Sequence, residues 1–294
     1  MIESDVSAPD GRVLHVYDAA NTTGERVVYW QHGAGMSGVP PAPLVERASA
    51  LGQRVIGHDR PGYGSSTPLP WRRVADAAHD LVSVLDALGV ESATTIGLSA
   101  GAMHALAAVA LEPVRFTAAA VVAGPAPYGA ARLDWFANMA PANRDEFEAA
   151  LLGRDALTAY LARNTEADLG IFAPEDLEAM HGPYWDWQLH AAGPAMAEGS
   201  IEDELACVAD WGFHPHDITT PVLVIHGARD TFVPASHARW VARAIPRSVL
   251  RLEPGGHIST IPAGEHALAW LRAQRVPRVT GRPAAHPSDQ GRSS

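Results

Sequence analysis

The sequence predicts an α/β protein, with a mostly parallel β-sheet covered by helices on both faces. Three observations carry that expectation. Short runs rich in β-branched residues alternate with stretches of helical periodicity over most of the chain. Several of those runs, such as Phe116–Val122 and Pro221–Ile225, are free of charge at every position. That suits strands buried on both faces. Finally, 294 residues with 47% apolar content can fill one large domain that carries an insertion.

The elements follow in order. An Asp10-Gly11 turn precedes an early strand over Arg12–Tyr17, and Arg26–Trp30 is a second strand running into Gln31-His32-Gly33-Ala34-Gly35. A helix is expected over Leu44–Leu51, then a strand over Arg54–Asp59 ending in the Gly/Pro-rich loop Arg60–Ser66. Val74, Ala77, Leu81, Val84, Leu85 and Leu88 recur at helical spacing, so Trp71–Leu88 reads as one helix stopped by Gly89. A strand over Ala93–Ile96 leads through Gly97-Leu98-Ser99-Ala100-Gly101 into an Ala-rich helix over Met103–Leu111. Phe116–Val122 is the next strand, closed by Gly124-Pro125.

The rhythm then breaks. No convincing strand occurs between about residues 125 and 215, where helices are expected at Arg144–Leu152, Asp155–Asn164 and Pro174–His181. Eleven aromatic residues fall in this segment, as do 16 Asp or Glu against 4 Arg, a balance of −12 in a chain whose total is −11. A solvated helical surface explains those acids. A lid that repels anions and favours neutral or cationic substrates explains them as well. The strand–helix rhythm resumes with Pro221–Ile225, a helix over Ala235–Ala244, a strand over Val249–Leu252 and a helix over Gly264–Gln274. Residues 1–124 and 216–275 are therefore read as one core domain, 125–215 as an inserted helical cap, and the polar, Pro-containing residues 276–294 as a disordered tail.

Composition excludes several roles. A net charge of −11 argues against nucleic acid as a partner. No apolar run approaches the ~18 residues needed to span a bilayer, and the first residues lack the basic start and apolar stretch of a secretory signal. The single cysteine, Cys207, leaves a reducing cytoplasm as the expected location. All 22 basic residues are Arg, which reads as the codon signature of a GC-rich bacterial genome. Oligomeric state is not legible.

The chemistry centres on Ser99. In Gly-x-Ser-x-Gly between a strand and a helix, the serine sits at the tip of a sharp turn, and small flanking residues let strand and helix pass closely. The turn exposes the hydroxyl beside the first amides of the helix, where a developing negative charge can be held. A serine nucleophile needs a base, and the base needs an acid to fix its tautomer. His257 follows Gly255-Gly256 at the end of the last strand, and Asp230 lies in the loop after Pro221–Ile225. Both therefore sit at strand ends, where catalytic loops converge. The chain order Ser99, Asp230, His257 is that of a nucleophile-elbow triad. Asp59 is the rival acid, assigned instead to fixing its loop. Ser236, rather than Asp230, is the expected cap of the helix at Ala235, and His226 and His104 are assigned to packing. The backbone amides of Ala34 and Ala100 are the two candidate oxyanion donors. Trp185 and Trp187 are the candidate substrate-pocket residues. Standing two apart, they cannot share a helix face, so the helix would place one in the pocket and the other against the body.

On HGAG at 32–35, HDRPGYGSS at 58–66, GLSAG at 97–101, GARDTFVP at 227–234 and PGGH at 254–257, the chain resembles the α/β-hydrolase fold family. It is most similar to members with a helical cap inserted after the sixth strand. The resemblance covers about residues 10–274 and implies an eight-stranded, mostly parallel sheet flanked by helices. It also implies an acyl-enzyme on Ser99, no cofactor and no metal. A serine at 99 disfavours epoxide hydrolases and haloalkane dehalogenases, which use Asp there. The expected function is hydrolysis of a small-molecule carboxylic ester. Proline iminopeptidases, carbon–carbon-bond hydrolases and cofactor-free haloperoxidases share the layout, and a receptor or scaffold of the same fold is the non-enzymatic alternative.

Overall fold

A computed structural model describes residues 1–20, 26–164, 169–192 and 197–274. Eight strands form one sheet in the order β1-β2-β4-β3-β5-β6-β7-β8. They are β1 (Ile2–Ser7), β2 (Val13–Asp18), β3 (Arg26–Gln31), β4 (Gln53–His58), β5 (Ala93–Leu98), β6 (Phe116–Val122), β7 (Val222–Gly227) and β8 (Ser248–Glu253). β2 runs antiparallel to β1 and β4, and all other pairings are parallel.

β1 is an element that apolar patterning does not reveal. Only Val6 of its six residues is buried, because it is an edge strand paired on one side alone. β5, β6 and β7 are buried at every position, as expected of central strands covered on both faces. Alternation sends Val27 and Tyr29 to one core layer and Val28 and Trp30 to the other. One layer packs α2 (Ala77–Ala87), α3 (Ala100–Leu111) and α9 (Ala235–Ala244) against the sheet, and the other packs α1 (Ala42–Ala50) and α10 (Gly264–Ala273). The helix expected over 71–88 starts later. Val74–Asp76 is a 3₁₀ turn, and Trp71 stands exposed before it at φ 63°.

Between β6 and β7 lie α4 (Pro141–Leu151), α5 (Arg154–Arg163), α6 (Pro174–Ala179), α7 (Pro183–Ala191) and α8 (Ala197–Val208). α7 belongs to the body as much as to this segment. Tyr184, Trp187 and Ala191 are buried in the core layer of α1 and α10, and Tyr184 donates to Glu265 of α10 at 3.0 Å. Among the described residues no helix is long and apolar enough to cross a membrane. The tail expected after 275 lies outside the described residues.

Candidate active site

Ser99 joins β5 to α3 at φ 52°, ψ −121°, a strained conformation for a residue with a side chain. Close packing holds it there. A Cβ on Gly97 would lie 2.2 Å from the Gly101 carbonyl oxygen, and one on Gly101 would lie 2.1 Å from the Gln31 carbonyl oxygen. Neither position accepts a larger residue, so the two glycines let strand and helix cross and push Ser99 out at the turn.

The structure brings Ser99, His257 and Asp230 into one hydrogen-bonded chain. Ser99 Oγ lies 3.2 Å from His257 Nε2, and His257 Nδ1 lies 2.8 Å from Asp230 Oδ2. Asp230 is fixed from its other side by the backbone N–H groups of Phe232 at 2.9 Å and Val233 at 3.0 Å, both donating to Oδ1. These bonds leave Nδ1 of His257 as the proton donor and Nε2 as the acceptor facing Ser99. Burial disfavours ionisation of Asp230, but His257 and His226 outweigh it and hold the carboxyl below the usual carboxylate range. Burial also disfavours the His257 imidazolium, yet the carboxylates of Asp230 and Asp176 raise its pKa above the ordinary 6.5. The Phe232 ring stacks on the imidazole at 5.1 Å and limits its rotation.

Several assignments are corrected. His226 is more than packing, because its Nε2 lies 2.6 Å from the Val233 carbonyl and 3.3 Å from Asp230 Oδ2. His104 does not simply pack within α3, since its Nε2 lies 3.0 Å from Asp203 Oδ1. Ser236 caps nothing. Pro234 is the N-cap of α9, without a side-chain hydrogen bond. Asp59, by contrast, fixes its loop as expected, accepting from Gly38 N at 2.6 Å, Ser65 N at 3.2 Å and the Tyr17 hydroxyl at 3.2 Å.

Ala34 lines the same cavity as Ser99. The parallel pairing of β3 with β5 sets Gln31 beside Gly97, which brings the His32–Gly35 turn alongside the elbow. Ala100 opens α3, so its N–H has no intrahelical acceptor. Trp185 lines the cavity as well. Trp187 does not, and is withdrawn as a pocket residue. On α7 it points into the body, where its ring meets Trp30 edge-on at 5.7 Å and its Nε1 donates to the Val39 carbonyl at 2.9 Å.

Two acids of the segment between β6 and β7 hold the loops around Ser99, and patterning gave no sign of either. Asp176 on α6 accepts from His257 N at 3.1 Å, Ser259 N at 2.8 Å and Ser259 Oγ at 2.7 Å, fixing the turn that carries His257. Asp203 on α8 is buried among Arg60 Nη2 at 2.5 Å, Arg72 Nη2 at 2.6 Å, the Tyr63 hydroxyl at 2.7 Å and His104. Burial alone would neutralise Asp203, but the two guanidiniums hold its pKa well below the usual value. His104 is pushed down to about 4 by burial and Arg60, so it is a neutral donor. Arg60 continues the network by donating to the His32 carbonyl at 2.6 Å and the Gly33 carbonyl at 3.3 Å, just before Ala34. Among the described residues no group of three or more His, Cys, Asp or Glu side chains could hold a metal ion.

The cavity over Ser99 encloses about 240 Å³. Its walls combine apolar side chains, among them Met36, Phe147, Phe172 and Ile258, with Asn143, Glu146, Gln188 and Glu204 from the inserted helices.

Comparison with known proteins places this site in a family. The α/β-hydrolase fold profile matches residues 26–263. The chain belongs to this family. It is 29% identical over 86% of its length to a Caulobacter sp. (strain K31) protein named as a carbamate hydrolase, RutD, covering 91% of that protein. A pimeloyl-[acyl-carrier protein] methyl ester esterase from Photobacterium profundum is 28% identical over 74% of this chain and 81% of its own length. Among solved structures, a thermophilic esterase from Thermogutta terrifontis superposes with a TM-score of 0.68 at 21% identity, covering 92% of this chain and 98% of that one.

Proposed function

We propose that the protein is a serine hydrolase that cleaves a small carboxylic ester through an acyl-enzyme on Ser99. The observation that supports this reading best is the continuous chain from Ser99 Oγ through His257 to Asp230. His257 Nε2 accepts the Ser99 proton as Oγ bonds to the acyl carbon. The amides of Ala34 and Ala100 hold the oxyanion. His257 returns that proton to the leaving alcohol as the carbon–oxygen bond breaks. Water then attacks the acyl carbon, gives its proton to His257 and releases the acid, and the proton passes back to Ser99. Asp230 keeps the imidazole in the tautomer that both steps need.

The segment over 125–215 serves as a helical cap over the acyl site, with Trp185 on the pocket wall. The cavity volume falls below the ~300–1,000 Å³ common for drug-sized ligands, which favours a small acyl group. Cys207, buried and free, suits a reducing cytoplasm. Covalent labelling by a fluorophosphonate, with hydrolysis of p-nitrophenyl esters set beside aminoacyl-naphthylamides, tests the reading. Label on Ser99 and ester turnover that Ser99→Ala abolishes are expected. Turnover within tenfold of wild type in the purified variant would exclude Ser99 as the nucleophile.

A further inference from the structure

The polar part of the cavity has one chemical character. Glu146 of α4 and Glu204 of α8 line the space that holds Ser99 and His257. Among the described residues neither carboxyl has a hydrogen bond or an ion pair, and no Arg lines the cavity. Glu204 Oε2 is shielded from water and unpartnered, as are Asn143 Oδ1 and Gln188 Oε1 around the same cavity. Each unsatisfied oxygen is an acceptor as placed, and a buried acceptor left without a donor is destabilising by about 1–3 kcal/mol. The guanidiniums of Arg60 and Arg72 are taken up by Asp203, the residue before Glu204.

We propose that Glu146 and Glu204 form a cation subsite, and that the natural substrate is a small acyl compound carrying an ammonium group. The inference rests on the serine-hydrolase reading of the same cavity and names the substrate class. An ammonium brings up to three N–H donors and one positive charge, which suit a wall of carboxyls and amide oxygens that lack donors. The low-dielectric setting strengthens that attraction. A neutral alkyl group in the same place would leave every one of these oxygens unpaired.

With no cation beside them, both carboxyls resist ionisation. Burial raises the Glu146 pKa, and burial together with the charges of Glu146 and Asp203 raises that of Glu204 well above its ordinary value. The charged groups that act on Glu204 are Glu146 from α4 and Asp203 on its own helix; burial and Glu204 in turn raise the Cys207 pKa, and burial and Glu146 that of Tyr160 of α5. None of these is a cation. An ammonium beside the two carboxyls favours their ionised forms and so opposes both shifts.

Boronic acids add reversibly to a serine nucleophile, so they test the inference even though the substrate is unidentified. Full-length protein is labelled with a fluorophosphonate in the presence of aminoalkylboronic acids with the ammonium one, two or three carbons from boron. Each is compared with its isostere bearing methyl in place of the ammonium. In wild type at pH 8, at least one ammonium boronate is expected to protect Ser99 at a tenfold or more lower concentration than its isostere. In Glu146→Gln and Glu204→Gln that ratio is expected to fall below threefold, and in wild type it is expected to shrink at pH 5. If no ammonium member outcompetes its isostere, or the ratio survives both substitutions, the cation subsite is refuted while labelled Ser99 leaves the hydrolase reading standing. If Ser99 is not labelled at all, both readings fall.

Discussion

Asp203→Ala is the perturbation whose cost the structure defines best. Asp203 is wholly buried, and it accepts from Arg60 and Arg72, which are 1% and 6% exposed. Removing it leaves two buried guanidiniums without their counter-charge. Arg60 keeps only the His32 and Gly33 carbonyls, and Arg72 keeps a 3.3 Å bond to the Gly199 carbonyl. Breaking a buried pair by deleting one partner is destabilising by about 3–5 kcal/mol, a large part of the ~5–15 kcal/mol that holds a domain folded. For 294 residues the unfolding entropy is roughly 0.6 kcal/mol per kelvin, so Tm should drop by about 5–8 °C. Activity should suffer separately, because Arg60 also carries the carbonyls just ahead of Ala34. A loosened oxyanion turn predicts a loss of about 10- to 100-fold in kcat with a smaller change in KM. Thermal unfolding read by circular dichroism and ester kinetics well below the new Tm separate the two effects. Asp203→Asn, which keeps the shape and one acceptor oxygen, should fall between the alanine variant and wild type. A Tm within 2 °C of wild type together with kcat within twofold would show that this cluster supports neither the fold nor the site.

Other outcomes follow from the same geometry. Ser99→Ala should lower kcat on the order of 10⁶-fold with an unchanged circular dichroism spectrum, and Asp230→Asn on the order of 10⁴-fold, whereas Asp59→Asn should retain far more activity. A dead Asp59→Asn beside an active Asp230→Asn would mean that the acid is misassigned. Because the Asp230 carboxylate raises the pKa of His257, and only the neutral imidazole accepts the Ser99 proton, kcat/KM should be lost as pH falls through a value above 6.5. The residual activity of Asp230→Asn should show that limb shifted downward. Trp185→Ala should change the kcat/KM ratio of acetate to octanoate esters with little effect on Tm. Trp187→Ala, which empties a core position beside Trp30, should be destabilising by about 3–5 kcal/mol and leave the ratio unchanged. The opposite pattern, read by the same two assays, would reverse their placement.

The parts of this protein that local sequence determines are those whose physics is local. Gly97 and Gly101 announce a close crossing of strand and helix, since only glycine fits where a Cβ would strike a carbonyl. Charge-free runs such as Pro221–Ile225 announce buried strands, and Asp230 and His257 stand out because each follows the end of a strand within a few residues. β1 escaped because an edge strand with one buried residue has no apolar alternation to show. The acids of the inserted segment escaped for a deeper reason. Glu202, Asp203 and Glu204 are consecutive letters that read as a solvated helix face. About 100° of rotation per residue sends Asp203 to buried arginines and Glu204 to the cavity wall. A carboxylate is tolerated inside only where a partner offsets its lost hydration. The partners of Asp203, Arg60 and Arg72, lie more than 130 residues away in the chain. Composition could supply the acids, but only the packing of α8 against α3, α4 and α5 decided which of them met a cation and which faced the cavity beside Ser99 without one.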